Sequence, residues 1–205
     1  MLSDMGDNAA KDKPPSPERA SPLEKGADLL PYLREMAARD PAAERAAQVV
    51  EQVANTAPAL FAPHVPSLLD LLSAEPGAVS QVSARTLVQL TRVAPAKVAK
   101  HLDRLRSLFE SGPSSTRDGT LQIFIGLCRA SVVYQKRLID VLERALSEAD
   151  PPTLTRWASL VLPALKGQPH FQARELLETR LRQLSGKPAE QLADLLGVPP
   201  RVTAV

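Results

Sequence analysis

Three histidines, one cysteine and a few carboxylate pairs are the residues of this 205-residue chain that could do chemistry. His64 and His101 stand 37 positions apart in matching surroundings, each beside apolar residues and near a helix start. Neighbouring helix axes lie about 8–10 Å apart, so two such imidazoles could not share a metal ion without bending toward it. Half-buried packing is the expectation for both. His170, between Pro169 and Phe171, has no evident partner. Cys128 ends the run Ile123-Phe124-Ile125-Gly126-Leu127, which predicts a buried, reduced thiol rather than a nucleophile. Pairs such as Asp103 with Glu110, or Glu175 with Glu178, lie among Arg and Lys on helices and read as solvated ion-pair faces. The chain has no GxxxxGK[ST] or GxGxxG loop, no HExxH and no GxSxG. The expectation is therefore a protein that is not an enzyme, with no metal site and no cofactor.

The chemistry that does stand out is cationic. From Arg85 to Arg106 there are six basic residues and one acid, a local +5 in 22 positions of a chain whose net charge is +2. If Val98, Leu102, Leu105 and Phe109 face a core, Lys97, Lys100 and Arg104 share the opposite side of the same helix. A shift of 37 carries Lys97 to Tyr134 and Lys100 to Arg137, and Arg144 follows two turns later. Lys97, Lys100, Arg104, Tyr134, Arg137 and Arg144 are thus the candidate partner-binding residues, a ladder able to hold carboxylates or phosphates. A protein or acidic peptide is the preferred partner. Nucleic acid fits less well, because single-strand readers need stacking aromatics, and aromatics make up only 3% of this chain.

These residues must be positioned by helices. Apolar residues make up 44% and charged residues 23%, with nine glycines and one cysteine. Such a composition disfavours short-strand sandwiches and excludes a disulfide framework. From residue 26 onward apolar residues recur every three or four positions, and no segment alternates at period two. Asp40-Pro41, Pro58, Pro95, Ser115 to Asp118, Asp150-Pro151 and Pro188 mark helix starts. Gly112, Gly186 and Gly197 mark helix ends. Residues 1–25 hold mixed charges, four prolines and no aromatic or β-branched residue, and are expected to be a disordered tail. The Ser16-Pro17 and Ser21-Pro22 steps in it are ordinary for a proline-rich linker. The helical domain is expected over 26–198, with a flexible terminus at 199–205. Neither a secretory leader nor an apolar run of membrane-spanning length is apparent, so a cytoplasmic protein with no membrane insertion is expected.

The helices repeat. Residues 57–72, APALFAPHVPSLLDLL, align without gaps on 94–109, APAKVAKHLDRLRSLF, and the preceding helices obey the same shift of 37. A second step lands on Leu121, Phe124 and Leu127, then on Leu138, Leu142 and Leu146. A fourth unit near 151–185 fits with one or two residues inserted, and helices at 26–39 and 188–197 are expected as end caps. A single hairpin cannot bury its apolar face alone, so stacking is required. The strings Leu87-x-x-Leu90-x-x-x-Ala94-Pro95 and His101-Leu102-x-x-Leu105-x-x-Leu108-Phe109, like Val50 to Leu72, resemble HEAT and armadillo-type repeats. The resemblance covers residues 41–148 well and 149–185 loosely. It implies an all-α solenoid of about four antiparallel hairpins with helical caps, whose second helices line a concave face used to bind a protein. The function expected is that of a scaffold or adaptor. The alternatives are a DNA-binding relative of alkylated-base glycosylases, in which Trp157 and Asp150 would have to join a basic grip, or a structural subunit of a larger complex.

Overall fold

The computed structural model describes residues 28–38, 41–74 and 77–199. The expected tail at 1–25, the Asp40 cap and all of the C-terminus past Pro199 lie outside the described residues. Among the described residues the chain is all-α, with eleven α-helices, two 3-10 segments and no strand. Helix α1 is Leu30–Ala37 and α11 is Gly186–Leu196. Between them lie four two-armed units. The first arms are α2 (Pro41–Thr56), α4 (Ala78–Val93), α7 (Ser114–Ala130) and α9 (Pro151–Val161). The second arms are α3 (Val65–Leu72) with the 3-10 segment Pro58–His64 before it, the pair α5 (Pro95–Ala99) and α6 (Leu102–Ser111), then α8 (Val132–Glu148) and α10 (Gln168–Leu181).

First arms begin at 41, 78, 114 and 151, and second arms at 58, 95, 132 and 168, so every unit follows the last by 36 or 37 residues. The fourth unit keeps this step, and the insertion expected there is absent. What differs in it is the end of the first arm, which tightens into a 3-10 turn at Leu162–Ala164 because Pro163 cannot continue the helix. The first two units agree in backbone detail. Ala57 (φ −139°, ψ 59°) matches Ala94 (φ −142°, ψ 55°), each leading into a proline. His64 (φ −104°, ψ 12°) matches His101 (φ −110°, ψ 23°), and both sit half-buried at a break in the second arm.

Packing follows chain order. Helix α4 lies between α2 and α7, α10 packs on α8, α1 covers α2 and α3, and α11 covers α9 and α10. Leu87, Leu90, Leu102, Leu105, Phe124 and Leu127 are each at most 2% exposed, as their spacing predicts. The closest approach is between α4 and α7. A methyl group added at Gly119 would stand 2.9 Å from Cβ of Ala84, and one at Gly126 would stand 2.2 Å from Oγ1 of Thr91. Glycine there lets one helix backbone rest on the short side chains of the other.

Helix ends are satisfied in different ways. Gly197 takes the left-handed conformation (φ 65°), with its N–H donating to Asp194 O and that of Val198 to Ala193 O. Gly112 also ends a helix, as expected. Gly186 does not: it opens α11, two residues before the expected start at Pro188. Helix α10 instead closes by tightening, with Gln183 N–H donating to Arg180 O and Leu184 N–H to Leu181 O.

Two outcomes follow from this packing. Leu105→Ala should cost about 2–5 kcal/mol and lower Tm more than Leu192→Ala in the end helix, since a damaged middle unit disconnects its neighbours. Gly119→Ala should also lower Tm, although alanine is the better helix former by about 1 kcal/mol, because the Ala84 methyl cannot move without its backbone. Thermal melts of the three variants decide both points.

Candidate interaction surface

Each unit runs out along a first arm and back along a second. The first-to-second-arm turns make up the turn edge, where those of the third and fourth units lie side by side. Adjacent turns are tied there by the buried side chain of Gln135. Its amide donates to Cys128 O at 2.8 Å and Ala164 O at 3.1 Å, and its carbonyl accepts from Lys166 N–H at 3.0 Å. The glutamine is 2% exposed and fully satisfied, so it links the third and fourth units without an orphaned polar group.

The cations divide by position. In the helix bodies, arginines reach back to the preceding unit. Arg85 pairs with Glu51 at 2.6 Å, Arg104 with Asp70, and Arg144 with Glu110. Arg106 donates to Arg137 O at 2.6 Å and approaches Asp103. The Arg85, Arg104 and Arg144 pairs are partly exposed, so each contributes about 0–1 kcal/mol and is screened by salt, while Asp103 is fully exposed. At the turn edge the pattern is different. Arg92, Lys97 and Lys100 stand at the second turn, Arg129, Lys136 and Arg137 at the third, and Lys166 at the fourth, all exposed. None of these seven side chains meets a carboxylate among the described residues. Residues 55–64, 91–101, 128–137 and 165–173, the four turns, contain no Asp or Glu.

The structure therefore splits the predicted ladder. Lys97, Lys100 and Arg137 are exposed and without a carboxylate partner, at the turn edge. Arg104 and Arg144 belong to inter-unit ion pairs. Tyr134 is half-buried against the core. Arg92, Arg129, Lys136 and Lys166 complete the edge and were not singled out from the sequence. They are visible only when residues are grouped by turn rather than by helix face. The same edge carries large exposed apolar side chains: Val93 (53%), Val132 (47%), Val133 (63%) and Phe171 (66%).

The opposite edge, at the turns between units, holds carboxylates and a second cluster. Trp157 is buried, stacks on Phe109 at 5.8 Å and donates its indole N–H to Asp118 at 2.7 Å. Arg156 also donates to Asp118, at 2.9 Å, and Arg117 lies over both rings. Arg117, Asp118, Arg156 and Trp157, with Glu148 and Asp150, line a cavity of about 120 Å³. Asp150 caps α9 by accepting from Thr153 N–H, and that bond holds its carboxyl below the usual range. Trp157 and Asp150 thus have structural roles here, on the edge away from the free cations. Glu143, half-buried on α8, is pushed up by burial and by neighbouring Asp140.

No family model matches the chain, and no curated protein matches it. Two crystal structures of engineered proteins are similar in fold. One shares 20% identity at a TM-score of 0.59, covering 83% of this chain and 79% of its own. The other shares 16% at a TM-score of 0.54, covering 82% and 79%. At such identities the likeness shows the all-α fold alone. No helix among the described residues is long and apolar enough to cross a membrane.

Cys128, just before the third turn, is buried, and burial pushes its thiol up to about 12 from an ordinary 9.0. The unfolded thiol releases its proton above about pH 9 while the folded one keeps it, so this group lowers stability as pH rises from 9 toward 12. Native protein at pH 8 should resist a thiol-reactive disulfide reagent and react in denaturant. Cys128→Ala should flatten the loss of Tm above pH 9.

Proposed function

We propose that this chain is a non-enzymatic binding module, a small HEAT-like α-solenoid that holds an acidic partner along its first-to-second-arm edge. The solenoid reading is supported by the constant step of 36 or 37 residues, the backbone identity of the first two units and their packing in chain order. The acidic-partner reading is carried by one observation. Arg85, Arg104 and Arg144 are engaged by carboxylates of the preceding unit, whereas seven edge cations meet none. In this reading Lys97, Lys100 and Arg137 contact the partner, while Arg104 and Arg144 pair with carboxylates of the preceding unit. Long cationic stems covering apolar surface and reaching an anion are the chemistry of the site.

The test separates the edge from the ladder. Titrated with labelled poly-L-glutamate, the wild type should bind in a salt-dependent way. Lys100→Glu with Arg137→Glu should abolish that binding with Tm unchanged. Arg104→Gln with Arg144→Gln should leave affinity within about twofold, since removing half-exposed pairs changes little beyond local stability. Equal losses for both double variants would return the site to the helix face.

A further inference from the structure

The acidic partner implied above is not yet a kind of molecule, and the edge carries more than charge. Val93 ends the first arm of the second unit, Val132 and Val133 begin the second arm of the third, and Phe171 begins that of the fourth. All four lie at the turns, and all are among the five large hydrophobics that are most exposed in the described residues. Apolar side chains scattered singly on a surface need no explanation. Four confined to one edge, with cations between them and no carboxylate in any turn, form an amphipathic rim.

Candidate occupants use these features differently. A nucleic-acid backbone would use the cations and leave the apolar tips in water. A peptide docks its side chains into pockets or along a groove. Two cavities among the described residues lie elsewhere, one lined by Arg117, Asp118 and Trp157 and the other by Thr155, Arg156 and Gln191. A bilayer interface needs no pocket. It takes small apolar tips into the boundary between headgroups and acyl chains, while Lys and Arg at the same level meet phosphates. The charge on the rim matches an anionic leaflet. Asp103 and Asp140, the first acids after the second and third turns, are exposed on the second arms.

We propose that the turn edge is a peripheral docking surface for an anionic phospholipid bilayer, with Val133 and Phe171 entering the interface and Lys97, Lys136 and Arg137 meeting lipid phosphates. The proposal rests on the acidic-partner reading and names its partner. Nothing spans the bilayer; attachment is reversible and weakens with salt.

Sedimentation of the full chain with vesicles tests it. Wild type should pellet with mixed phosphatidylglycerol and phosphatidylcholine vesicles at low salt, and not with phosphatidylcholine alone. Lys97→Glu with Lys136→Glu should weaken partitioning about tenfold or more, as expected for reversing two charges near the surface. Val133→Ser with Phe171→Ser should weaken it by about tenfold at unchanged charge, because the transfer of apolar groups is lost. All four positions are exposed, and unchanged circular dichroism confirms that the variants are folded. Undiminished partitioning of the Val133/Phe171 variant would overturn the proposal by showing simple Coulombic adsorption. Binding of poly-L-glutamate without binding of anionic vesicles would overturn it too, leaving a protein partner and the acidic-partner reading intact. Failure with both probes would remove that reading as well.

Discussion

The close contact of α4 with α7 is the constraint on which the rest of the molecule depends. Gly119 over Ala84 and Gly126 over Thr91 set how near the second and third units can come. Burial of Leu87, Leu90, Phe124 and Leu127 depends on that separation. Neither unit could shield these residues alone, because a hairpin has one wet side and one apolar side. The register of α4 on α7 also fixes which charges meet. Once the second and third units are seated, Glu110 falls opposite Arg144, and Arg106 falls opposite the carbonyl of Arg137.

The turns within units carry exposed residues, so a bias in their composition becomes a surface property. Here the turns within units lack acids, while the junctions between units carry Glu110, Asp118, Glu148 and Asp150. A modest net charge of +2 therefore conceals a strong separation of sign. The free cations sit where a partner could reach several at once. The paired ones are spread through the body and serve cohesion.

Much of this was legible beforehand. Helix starts at Pro58, Pro95 and Pro151 follow from proline's missing N–H, and the core from apolar spacing of three and four. The ion pairs between units were not foreseen, for a geometric reason. Comparing positions 37 apart aligns equivalent residues, but interacting ones are 34 apart, as in Asp70 with Arg104 and Glu110 with Arg144. The difference is about one helical turn, along which a tilted side chain reaches its neighbour. Gln135 gave no signal either: a polar residue in an amphipathic helix reads as exposed unless its tertiary partners are known. Gly186 was taken for a stop because glycine favours the left-handed conformation, which it does adopt (φ 64°), but at the head of a helix.

The edge cations stand at different places in their helices. The edge gathers the C-terminal ends of first arms and the N-terminal ends of second arms. Arg92 and Arg129, at C-terminal ends, oppose negative dipole ends and are favourable there. Lys97 lies in the last turn of the five-residue α5, and Lys136 and Arg137 stand in the second turn of α8. Neither α5 nor α8 has an acid in its first turn. Exposed Val133 and Phe171 bring no folding benefit. Exposed apolar side chains and cations without carboxylate partners thus occur together at these turns.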